Sequence, residues 1–119
     1  MNVTYLNHSG FLLEWDDCYW IFDYFKGEIP AMNPDKDIYV FASHSHHDHF
    51  NPDVFALSKM YPKVTYIFSD EIKEACNKIH TPDIIFLENH ADKVINDSLK
   101  IHTLTSTDLG CAFVIEYKN

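Results

Sequence analysis

Four of the chain's eight histidines fall in one short run, His44-Ser45-His46-His47-Asp48-His49, and Asp48 adds a carboxylate to it. Imidazole nitrogens and carboxylate oxygens are the donors that suit zinc, iron and manganese. Both are in their ligating form at neutral pH without any forced pKa. His44 and His46 are two apart, so in an extended segment they point the same way and can grip one ion. Asp48 and His49 come where the chain turns and can serve a second ion close by. The run is internal and bounded by structural signals, which separates it from a terminal purification tag.

Those signals place the run. A continuous apolar stretch, Ile38 to Ala42, precedes it and reads as a buried central strand. Asn51 and Pro52 follow it as N-cap and first-turn residue of a short helix through Met60. The ligand-rich loop thus sits at the carboxyl end of a strand, just before a helix. Upstream, Val3–Leu6, Phe11–Trp15 and Tyr19–Asp23 are three short strands joined by turns, an antiparallel meander. Residues 24–37, with Gly27, Pro30 and Pro34, form a loop. Downstream, Val64–Phe68 is a second buried strand. A helix from Ser69 to about Lys78 should bury Ile72, Ala75, Cys76 and Ile79. Ile84–Leu87 is a strand, Lys93–Ile95 and Leu99–Leu104 a hairpin around Asn96-Asp97, and Ala112–Tyr117 a last strand. Strands with two interposed helices indicate one α/β domain over residues 1–119, built on a mixed sheet with helices on one face.

The pattern H-x-H-x-D-H, filled by His44, His46, Asp48 and His49, resembles the signature of the metallo-β-lactamase superfamily. Asn7-His8-Ser9-Gly10 is similar to the first turn of that superfamily's ascorbate-phosphate-lactonase-like branch, and Phe22-Asp23-Tyr24 to its "F-D-x" strand end. The resemblance implies one half of an αββα sandwich. It implies zinc as the cofactor, as one or two ions, with iron, manganese or nickel as alternatives, and His44, His46, Asp48 and His49 as metal residues. Asp48 would also act in catalysis, orienting the attacking water and carrying its proton. The activity implied is hydrolysis of a small ester, lactone or phosphodiester through a metal-bound hydroxide. Two alternatives stand beside it: an incomplete metal-binding half-domain that needs a partner, and an iron-dependent, sulfur-dioxygenase-like enzyme.

Further residues are weighed with these. Asp23 would accept an N–H from a metal-bound histidine, or is an ordinary strand-end residue. His8 would lie at the site rim, or bonds its own turn. Asp108, in the polar loop 105–110, could approach the metals or serve as a turn aspartate. Cys111 could offer a thiolate or act as a small core hydrophobe. His47, the x of the motif, should point away from the metals, facing solvent or supporting a ligand, and His80, His90 and His102 lack spacing to any ligand partner.

Relatives are about twice as long, so the chain resembles their amino-terminal half, and ligands of the second half are missing from it. The sheet face meant for that half would be apolar and uncovered, and a homodimer or partner chain is expected to cover it. The formal net charge of −9 argues against nucleic acid and anionic membranes as partners and leaves a small-molecule substrate. Three widely spaced cysteines, Cys18, Cys76 and Cys111, point to free thiols in a reducing compartment, and the absence of a leader or spanning run to a cytoplasmic protein.

Overall fold

The computed structural model describes residues 1–7, 10–45, 49–76, 84–105 and 110–118. A six-stranded sheet runs in sequence order: β1 (Asn2–Asn7), β2 (Gly10–Glu14), β3 (Cys18–Phe22), β4 (Asp37–Ala42), β5 (Val64–Ser69) and β6 (Ile84–Leu87). The first three strands are the antiparallel meander the turn residues demand. From β3 to β6 the pairing is parallel. A second, antiparallel sheet holds β7 (Asp92–Asn96), β8 (Leu99–Thr105) and β9 (Cys111–Tyr117).

Strand alternation divides the core in two. Ile38, Val40 and Ala42 of β4, with Tyr66 and Phe68 of β5, face Val54, Leu57, Ile72 and Cys76 from the helical segments. Tyr39, Phe41 and Ile67, one residue out of phase, face Leu99 and Ile101 of β8 and Phe113 and Ile115 of β9. Helices therefore cover one face of the large sheet and the small sheet covers the other.

This corrects the expected uncovered face. Phe41 and Ile67 are fully buried beneath β8 and β9. Among the described residues, the part of that face over β1 and β2 stays open, where Val3, Tyr5 and Phe11 are 56%, 61% and 39% exposed. The helical segments are also tighter than the sequence pattern suggests. Asn51 does cap, its Oδ1 accepting from the Asp53 amide at 2.9 Å, but the segment is a 3-10 helix, Pro52–Ala56, that passes into α1 (Leu57–Met60). The expected helix after β5 is a 3-10 helix, Asp70–Cys76, in which Ile72 and Cys76 are buried and Ala75 is exposed; Ile79 lies outside the described residues. All three cysteines are buried and free, and no helix among the described residues is long and apolar enough to cross a membrane.

Candidate metal centre

In a parallel sheet the carboxyl ends of the strands are where ligands collect. Three such ends lie side by side here: β3 ends before Asp23, β4 before Ser43 and His44, and β5 before Asp70 and Glu71. The β3–β4 register pairs Phe22 with Phe41, which brings Asp23 against the residues that follow β4. Asp23 is held there by its amide, which donates to the Phe41 carbonyl at 2.9 Å, and by a left-handed backbone with φ +45°. Aspartate tolerates that conformation better than most side chains, and such positions concentrate at functional sites.

The Asp23 carboxylate gathers three donors. The Ser43 amide reaches Oδ1 at 2.8 Å, the Ser43 hydroxyl reaches Oδ2 at 2.8 Å, and His49 Nδ1 lies 3.1 Å from Oδ2. His44 is buried, with its ring centroid 4.5 Å from that of His49. Ligand atoms of Asp23, His44 and His49 all fall within 4.8 Å of one another. Two imidazoles and a carboxylate this close together are donor types that could hold a first-row transition metal.

The loop is fastened from two further sides. Glu71 Oε1 accepts from the Ser45 amide at 2.9 Å. At the start of β9, the Cys111 amide donates to the Ser43 carbonyl at 3.0 Å. Gly110 makes that approach feasible: its φ is +96°, and a Cβ there would lie 1.9 Å from the Ser43 oxygen.

The structure thus brings together His44, His49 and Asp23 of the residues singled out by the sequence. His46, Asp48, His8 and Asp108 lie outside the described residues, and with them the pairings of His44 with His46 and of Asp48 with His49. Cys111 is buried, and its thiol is pushed up to about 11. Burial is the main cause, Ser69 offsets part of it, and the Asp23 and Asp70 carboxylates add to it. It stands as a neutral core residue. Ser43, Glu71 and Gly110 are the participants that sequence reasoning missed.

A family model described as a beta-lactamase superfamily domain matches residues 2–110. A search of curated proteins gives no match. Among solved structures the chain is similar to a mutant of the CmlA beta-hydroxylase, with a TM-score of 0.70 and 11% identity. That alignment covers 98% of this chain and 28% of the other, so the chain spans under a third of that protein's length and the likeness is one of fold. The architecture is metallo-β-lactamase-like: the helical layer, the first sheet and a three-stranded part of the second. The matched segment takes in every element up to the start of β9 together with the histidine-rich loop, and the chain belongs to the beta-lactamase superfamily.

Proposed function

We propose that the protein is a metal-dependent hydrolase acting on a small ester, lactone or phosphodiester. The observation that carries this reading is the convergence of Asp23, His44 and His49 at the strand ends of a beta-lactamase superfamily domain. A bound ion, zinc in the first instance, would supply Lewis acidity and bring the pKa of a coordinated water near neutrality. The chain's own residues do the remainder. His44 and His49, with His46 and Asp48 of the same motif, offer the donor atoms. Asp23 holds the His49 ring through Nδ1, and Glu71 holds the loop backbone at Ser45. Asp48 is the group assigned to orient the attacking water and take its proton.

Elemental analysis of the purified chain, with a count of metals per protomer, is the first test. Assays on generic ester and phosphodiester substrates are the second. Wild type should turn over, and His46→Ala and Asp48→Ala should not. Equal inertness of all three proteins would reject hydrolysis by this chain. A second reading, iron-dependent oxygenation, draws support from the structural neighbour's description as a beta-hydroxylase. Iron as the dominant metal, with oxygen consumption in place of hydrolysis, would favour it.

A further inference from the structure

Ser43 is not one of the grouped His and Asp residues, yet its hydroxyl, amide and carbonyl all engage groups at the site. Its hydroxyl lies 2.8 Å from Asp23 Oδ2 and 2.6 Å from His44 Nδ1. Its amide donates to the same aspartate, its carbonyl accepts from Cys111, and the residue is buried. A carboxylate only accepts, and a serine hydroxyl has one proton to give. That proton is committed to Asp23. The contact with His44 is then a hydrogen bond only if Nδ1 carries a proton and the serine oxygen accepts it. The other tautomer would press two lone pairs together at 2.6 Å.

We propose that Ser43 is a positioning residue: its hydroxyl, donating to Asp23 and accepting from His44 Nδ1–H, fixes His44 as the Nδ1-protonated tautomer and so turns the Nε2 lone pair into the ligating atom. Asp23 then orients both imidazoles, His49 directly and His44 through one serine. This is the arrangement in which an outer hydrogen bond sets the orientation and basicity of a ligand. The tautomer follows from the hydrogen bonds alone. Its consequence for metal binding rests on the reading of the site as a metal centre.

The test separates the two. Long-range proton–nitrogen spectra of uniformly labelled, metal-free protein, recorded above the histidine titration range, report which ring nitrogen of His44 is protonated. Wild type and Ser43→Thr, which keeps the hydroxyl, should show Nδ1–H; Ser43→Ala should shift toward Nε2–H. Zinc titration should give binding about 10–100-fold weaker in Ser43→Ala and near wild type in Ser43→Thr. Nε2–H in the wild type would overturn the proposal. So would a folded Ser43→Ala that keeps both the Nδ1–H form and wild-type zinc affinity. If Ser43→Ala does not fold, the tautomers of wild type and Ser43→Thr decide. If wild type binds no zinc, the metal reading fails while the tautomer result still decides the role of Ser43.

Discussion

At Asp23 a strained backbone and a crowded carboxylate occur in one residue, and the two can be separated by substitution. Asparagine tolerates a left-handed φ as aspartate does, so Asp23→Asn should keep the chain trace. Its amide nitrogen, however, would face either the Ser43 amide, in place of Oδ1, or the Ser43 hydroxyl and His49 Nδ1, in place of Oδ2, and all three now meet acceptor oxygens. We expect Asp23→Asn to unfold near the wild-type midpoint and to bind zinc about 10–100-fold more weakly, as measured by calorimetric titration. Asp23→Ala should do worse. It leaves partly buried donors unpaired, at a cost of about 1–3 kcal/mol, readable in urea unfolding. The sequence made Asp23 legible because it ends an apolar strand near a histidine-rich loop. It hid Ser43, since a serine before a histidine carries no signal until the parallel register of β3 and β4 sets it opposite Asp23. Glu71 was hidden likewise, as an ordinary first-turn acid whose partner, the Ser45 amide, is remote in sequence.

Elements that never touch the donor atoms still hold them. Gly110 precedes β9 at the back of the metal loop, and the Ser43 oxygen fills the space a side chain would need. Gly110→Ala combines that overlap with a φ of +96°. We expect it to lower stability by more than about 1 kcal/mol and to weaken zinc binding in parallel, because the added methyl presses on the Ser43 and His44 backbone. The small sheet has its own clamp. His102 on β8 meets Asp92 on β7 through Nδ1 and Glu116 on β9 through Nε2, the latter at 2.8 Å. The Glu116 and then the Asp92 hydrogen bonds raise the His102 pKa, and His102 lowers both carboxylates; Lys100 acts on both carboxylates and Lys118 on Glu116. A raised histidine contributes stability in full below its unfolded pKa and loses it as pH rises through the folded one. A lowered carboxylate contributes above its unfolded pKa and loses it as pH falls. The clamp should therefore be strongest between the carboxylate and histidine ranges. Amide exchange in β7 and β9 should quicken from mildly acidic to mildly alkaline pH, beyond the intrinsic rate change, and His102→Gln should abolish that dependence. The strands were legible because apolar runs and turn residues mark them. The helix after β5 was legible in place but not in its 3-10 course. Its i, i+3, i+4, i+7 pattern fits an α-helix, but the Glu71 side chain reaches back to Ser45 and its amide lies 3.4 Å from the Ser69 hydroxyl, consistent with the tighter 3-10 course.

For the whole molecule, the packing of the two sheets links stability to the site. The sequence pattern marks β4 as apolar on both sides without saying what covers each side, so the face turned from the helices could be read as bare. The chain's own β8 and β9 cover it, because the antiparallel hairpin alternates Leu99, Ile101 and Thr103 inward with Lys100, His102 and Leu104 outward. Phe41 lies at the centre of the contact. It stacks on Phe22 with centroids 4.7 Å apart and meets Phe113 edge-on at 5.4 Å. Phe41→Ala should cost about 3–5 kcal/mol through lost burial and the cavity left behind. The same substitution loosens the seat of β9, whose first amide is bonded to Ser43. Zinc affinity should fall with it, although no donor atom has changed. The His44 tautomer should persist, since the Asp23–Ser43–His44 chain is untouched. Urea unfolding, zinc titration and the nitrogen spectrum of one variant would therefore respond differently. A loss of stability with unaltered zinc binding would show that the second sheet shields the core without bracing the metal loop.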